Sequence, residues 1–146
     1  MNLPSEKLTP MAHKAQNRFF GCGPANAGGL HLEFLVAEDG SVVCLPTIPD
    51  SFEGPAGYLH GGIIATLLDE AMSKSIRARG LTAMTRQMEI NYLRPVHSEA
   101  PIRVEGRLVR SEGRKHCSEA RIIDARGHAL ADGKGLFIEV HSGQRF

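Results

Sequence analysis

The chain has 146 residues, 42% of them hydrophobic and 23% charged, with a formal net charge of +1 at pH 7. This length gives one domain, residues 1–146, with a core large enough to fold alone, and the near-neutral charge without a long basic run excludes a broad electrostatic pull toward nucleic acid. No apolar run approaches a membrane span, and the opening stretch MNLPSEKLTPMAHKAQNRFF lacks the apolar centre of a secretory signal, which points to a cytoplasmic protein with no membrane partner.

Residues 1–20 are polar and mixed, read as an arm or short helix. GCGPANAGG (21–29) is a loop by its glycines, Pro24 and Asn26. LHLEFLVAEDGSVVCLPTI holds two alternating apolar runs around Asp39-Gly40, a hairpin pattern. PDSFEGPAG (49–57) is a second loop. In GYLHGGIIATLLDEAMSKSIRARG (57–80), Ile64, Leu67, Leu68, Ala71 and Met72 recur at the spacing of one helical face. Gly80 is a C-terminal stop, with Arg77 and Arg79 at the negative helix end. Strands follow over 84–96, 102–110, 115–123 and 128–140, with turns at SEGR and DARG. Helices do not alternate with strands, so the class is α+β, an antiparallel sheet curved around one long helix.

Two features of that helix point to chemistry. His60-Gly61-Gly62 opens it, where backbone N–H groups are unpaired and the partial charge is positive. The glycines let a ligand oxygen approach those N–H groups, as in an oxyanion hole, or they serve only unusual loop dihedrals. His60 orients the turn, caps the helix or touches the carbonyl, an orienting role being preferred to that of general base. Asp69-Glu70 is an acid pair in an apolar setting. Asp69, among Leu67, Leu68 and Met72, is expected to be desolvated and to act as base or nucleophile, or to be a structural carboxylate. Glu70 faces another way and has Lys74 at i+4, which reads as a structural or rim pair. Ser73, at i+4 from Asp69, either holds a water or bonds back to the helix carbonyl.

Gly61 and Asp69 are eight residues apart, about 12 Å along a helix. One reacting carbonyl cannot touch both in a single chain. Two antiparallel copies of the helix would bring Gly61 of one to Asp69 of the other, so if both groups are catalytic the spacing predicts a two-fold dimer with two composite sites.

No metal is expected. Cys22, Cys44 and Cys117 are isolated and odd in number, fitting reduced thiols, and His13, His31, His97, His116, His128 and His141 lack paired ligand spacing. HExxH, GxSxG and P-loop patterns are absent.

GYLHGGIIATLLDEAM followed by MEINYLRPV resembles the hot-dog-fold acyl-CoA thioesterases, in the phenylacetic-acid-degradation branch of the 4-hydroxybenzoyl-CoA thioesterase superfamily, over roughly residues 50–140; CGPANAGGLHLEF resembles the opening of many members. The resemblance implies an antiparallel sheet around a central helix and hydrolysis of acyl-CoA to free acid and CoA. It implies active sites between paired subunits, and dimers pairing into tetramers. It needs no cofactor, coenzyme A being part of the substrate. Asp69 would be base or nucleophile, and the Gly61 N–H would polarise the carbonyl. His60 would be the motif histidine, with Ser73 and Thr85 the hydroxyl positions. The loop before HGG departs from the family: it carries Glu53 and Gly54 where an amide is frequent, which makes Glu53 a candidate replacement. Gly62, Arg94, Arg110, Arg114 and Lys115 are candidate contacts to substrate or the CoA phosphates. Tyr58, Phe52 and Met84 are candidate acyl lining. The alternative is a non-catalytic acyl-CoA-binding hot-dog protein.

Overall fold

A computed structural model describes residues 6–12 and 16–140. His13, His141 and part of the N-terminal arm therefore lie outside the described residues. The order is β1 (Leu8–Pro10), β2 (Phe34–Ala37), β3 (Val42–Cys44), a 3-10 turn (Asp50–Phe52), α1 (Gly61–Arg77), β4 (Ala83–Tyr92), β5 (Ile102–Glu112), β6 (Lys115–Asp124) and β7 (Ala129–Glu139). The strands form one sheet in the order β1-β2-β3-β5-β6-β7-β4, with every neighbouring pair antiparallel. The single helix lies across this sheet, the α+β arrangement predicted above.

The local causes are visible in the turns. Gly40, Gly113 and Gly127 take φ of +86°, +58° and +86°, which closes three hairpins in a conformation a side chain resists. The helical face read from the sequence is the buried one: Ile64, Leu67, Leu68, Ala71, Met72 and Ile76 pack on Val42, Val104, Ile122, Ala131 and Phe137. Each fully buried large side chain contributes about 1.5–3 kcal/mol. Ser75 is also buried on this face. Its hydroxyl lies 2.6 Å from the Met72 carbonyl and 2.6 Å from the Ser118 hydroxyl on β6, so the polar atoms under the helix are satisfied.

Two boundaries differ from the expectation. Leu8–Pro10, within the segment read as arm or short helix, is a three-residue strand that pairs with β2. The strand expected over 84–96 ends at Tyr92. The Leu93 and Arg94 N–H groups both donate to the Leu130 carbonyl, at 2.9 and 3.0 Å, and Pro95 has no N–H to continue the ladder. Of the YLRP motif, only its tyrosine is in the sheet.

Gly106 on β5 sets the height of the helix. A Cβ built there would stand 2.3 Å from the Ala71 carbonyl oxygen and 2.6 Å from its carbon. Since backbone cannot rotate aside, Gly106→Ala is expected to lower stability by about 1–3 kcal/mol, read as an earlier urea midpoint with an unchanged m-value. An unchanged midpoint would show that the helix is free to lift.

Candidate functional site

At the start of α1 most N–H groups are accounted for. His60 is the N-cap, with φ −61° and ψ 139°, and its Nδ1 accepts from the Gly62 N–H at 2.8 Å. A neutral ring accepting at Nδ1 carries its proton on Nε2. The His60 carbonyl accepts from Ile63 and Ile64, at 2.9 and 3.1 Å. The Gly61 N–H meets no acceptor among the described residues, and Gly61 is exposed. Of the two glycines expected to offer an N–H, Gly62 has its own committed and Gly61 has its own free. The capping role for His60 is the one its geometry shows.

Eight residues on, the Thr85 hydroxyl donates to Asp69 Oδ1 at 2.5 Å. Thr85 reaches Asp69 from β4, next to a register irregularity between Thr85 and Gln87. Ser73, one turn beyond Asp69, makes no hydrogen bond to it and is half-buried. Asp69 does not share the apolar burial expected of it: Leu67, Leu68 and Met72 point into the sheet at 0% exposure, whereas Asp69 is half-buried on the helix flank. At about 100° per residue, neighbouring helix positions face different surroundings.

Glu70 corrects the rim reading. It forms the expected i+4 pair with Lys74, at 3.5 Å, but its side chain is only 18% exposed. The N-terminal loop covers it: a Cβ on Gly21 would lie 2.4 Å from Glu70 Cγ and Cδ. Oε2 is buried without a hydrogen-bond partner. Burial pushes this carboxyl above its ordinary range, opposed by the Lys74 charge.

The other expected residues are scattered. Glu53 stands beside the helix start, bridged to Leu59, but its Oε2 accepts from the Ser98 hydroxyl. Arg94 is exposed beyond β4. The Arg110 guanidinium lies 3.7 Å from Cys117 Sγ. Arg114 is committed to the Glu139 carbonyl, at 3.1 and 2.8 Å, and Lys115 is exposed at the β5–β6 tip. Register links Thr85 to Phe137, then His116, then Ser111. That tip therefore shares Thr85's end of the sheet, three strands or about 14 Å away. Among the proposed lining, Tyr58 lies against His97 with ring centres 5.0 Å apart, Phe52 packs on Phe20, and Met84 is 54% exposed.

Two groupings escaped the sequence. Tyr92 Oη donates to the Gly61 carbonyl at 3.0 Å, and Ser111, His116 and Glu139 form a chain of 2.7 and 2.8 Å contacts. The second ties the hairpin tip to the end of β7. Each joins residues far apart in sequence, so no local pattern announces it. Among the described residues no group of three His, Cys, Asp or Glu is placed to hold a metal, and no helix is long and apolar enough to cross a membrane.

The family model of the thioesterase superfamily matches residues 56–131, just over half of the chain and both ends of this site. Acyl-coenzyme A thioesterase THEM4 of Bos taurus is 29% identical over 116 residues, covering 77% of this chain and 48% of that protein. The chain thus spans about half the length of the curated relatives it matches. A crystal structure of a thioesterase superfamily protein superposes with a TM-score of 0.79 at 31% identity, over 84% of this chain and 60% of the other. A Bacillus halodurans protein solved with CoA gives 0.68 at 28% identity, over 77% and 76%. The E. coli PaaI protein of the phenylacetic acid degradation operon shares the fold, with 0.72 at 19% identity, over 80% and 85%.

Glu70 makes stability depend on pH. A carboxyl held above its ordinary 4.5 when folded contributes fully below 4.5, and that contribution is lost as pH rises through the folded value. Glu70→Gln cannot titrate. Its unfolding free energy should rise relative to wild type across that window, by about 1.4 kcal/mol per unit of displacement, as read from urea melts in a pH series. Parallel pH profiles would exclude this origin.

Proposed function

Because this chain belongs to the thioesterase superfamily, we propose that it hydrolyses an acyl-CoA thioester to the free acid and CoA. The observation carrying the proposal is the uncommitted Gly61 N–H at one end of α1, paired with a hydroxyl-held carboxylate about 12 Å along the same helix. The thioester oxygen sits on the Gly61 N–H. The partner subunit's Asp69 either takes a proton from the attacking water or attacks the carbonyl carbon itself. In both routes negative charge gathers on the oxygen at Gly61, where a fixed N–H and the helix dipole favour it most. Collapse expels the CoA thiolate, a good leaving group; in the water route Asp69 then gives up the proton it took, and in the direct route water cleaves the mixed anhydride, releasing the free acid and restoring the Asp69 carboxylate. The Thr85 hydroxyl fixes one oxygen of Asp69 and leaves the other for substrate. Arg94, Arg110 and Lys115 are the exposed cations offered to the CoA phosphates. The CoA-bound Bacillus halodurans neighbour supports this ligand class.

The sheet suggests how two copies meet. β4 is ten residues long and lies at the sheet edge, paired on one side only, so its free ladder is open to another strand. In a chain, Thr85 marks the Asp69 end of β4 and Tyr92 marks the Gly61 end. Antiparallel pairing of two β4 strands about a two-fold axis at Glu89 sets Gln87 against the partner's Asn91 and, across the irregularity at Arg86, Thr85 beside the partner's Tyr92. That register brings each Asp69 toward the other chain's Gly61. Such dimers pairing again give the tetramer that the resemblance implies.

The test is free-CoA release from aryl, short-chain and long-chain acyl-CoAs. Asp69→Asn should lower kcat at least about 100-fold. Gly61→Pro removes the N–H and puts the proline ring in its place, with the backbone kept, since proline suits the first helical position and His60 already has a backbone that proline accepts before it; a loss of at least about 100-fold is expected. Mixing the two inactive variants and allowing dimers to reassort should restore about a quarter of wild-type activity. Half of such dimers are mixed, and each holds one intact site of two. Recovery of nothing would place both groups of a site in one chain. Tight binding without turnover by wild type would return the acyl-CoA-binding reading.

A further inference from the structure

Among the described residues, Tyr92 is the side chain from another element that hydrogen-bonds to the backbone of Gly61. Its hydroxyl donates to the Gly61 carbonyl at 3.0 Å, and its ring stands 3.8–4.0 Å from where a Cβ on Gly61 would be, an ordinary packing distance. In the single chain it is 55% exposed, so the chain's own core does not hold the ring in place. The peptide joining Gly61 to Gly62 is thus held at both ends, its oxygen by Tyr92 and its N–H by His60 Nδ1 at 2.8 Å. Two successive glycines have the widest backbone freedom of any residue pair. An N–H that stabilises charge works only if it is already aimed when the charge appears, so freedom at this point is a cost.

We propose that Tyr92 is a positioning residue for the thioesterase site: it clamps the glycine turn so that the Gly61 N–H is preset toward the thioester oxygen, while its ring walls one side of that approach. This rests on the hydrolase reading above. It adds a role for a strand residue that spans the two halves of the composite site, because the β4 register brings the partner's Thr85 beside Tyr92. The acyl carbonyl then enters between the Tyr92 ring and the partner's Asp69. Tyr92 transfers no proton and forms no bond to substrate; it acts through Gly61.

Tyr92→Phe keeps the ring and removes the donor. Losing one neutral hydrogen bond should lower kcat about 3- to 10-fold with KM within about twofold. The decisive measurement is the cycle with Gly61→Pro. Without the Gly61 N–H there is nothing for Tyr92 to aim, so Tyr92→Phe should cost no further activity in that background. A merely structural tyrosine would cost the same factor in both backgrounds, which overturns the proposal. A readout that needs no turnover runs alongside: amide hydrogen exchange by NMR at Gly62, whose N–H is held by His60 Nδ1. Tyr92→Phe should speed exchange at Gly62 and leave the α1 core amides unchanged; unchanged exchange at Gly62 overturns the clamp. Wild type and Asp69→Asn are assayed in the same series. A wild type that fails to hydrolyse any acyl-CoA sinks the hydrolase reading, and with it Tyr92's part in catalysis. An active wild type with an equally active Tyr92→Phe sinks the tyrosine alone.

Discussion

Everything at the site is measured from one contact without slack, the Ala71 carbonyl lying where a methyl group on Gly106 would be. It presses the helix backbone onto β5 and fixes both the height and the rotation of α1. Close packing then leaves the helix no freedom to roll, because Leu67, Leu68 and Met72 fill the sheet side completely. From this pinned midpoint Asp69 is two residues upstream and Gly61 ten. Each lands beside a different end of β4, the strand that reports their positions through Thr85 and Tyr92. Placing an acid and an N–H donor on one rigid rod gives their separation almost no tolerance, and the sheet then sets their orientation.

The chemistry at the helix start follows from a complete account of backbone donors. A helix begins with four N–H groups that lack internal acceptors. Here the Phe52 carbonyl takes the His60 N–H, the His60 carbonyl takes that of Ile63 and the His60 ring takes that of Gly62. The remaining one belongs to a residue without a side chain. An anionic oxygen therefore meets a single well-defined donor backed by the helix dipole, rather than several loosely competing ones. His60 does this through Nδ1, which is a capping task.

The helix and the hairpins were legible because their signals are local: apolar spacing within α1, and glycine at the Asp39-Gly40, SEGR and DARG turns, each with positive φ. The position of Asp69 on α1, two turns past HGG, was also legible from spacing. What could not be read is what covers each face. Asp69 and Glu70 are adjacent in an apolar run, and burial was assigned to the first. The loop at Gly21 and Cys22 instead folds over the second, a contact spanning nearly fifty residues. Thr85 came from resemblance alone, and Tyr92 from neither route, because strand register decides which residue of β4 meets which turn of α1. Leu8–Pro10 was missed for another reason: three residues ending in proline carry too little alternation to declare a strand.

The unequal edges of the sheet have a consequence for how growth of an assembly stops. One border is β4, long, regular and unpaired; the other is β1, three residues closed by Pro10. A sheet with two open borders can add copies indefinitely, head to tail, toward a fibre. Among the described residues β4 is the long open border, and the proposed pairing is like-to-like. In that dimer each β4 uses the border of the other, and the blunted β1 borders face outward. Polymerisation along the sheet would then be capped at two by geometry, so that completing the proposed site and protecting the protein from runaway strand addition would be the same event.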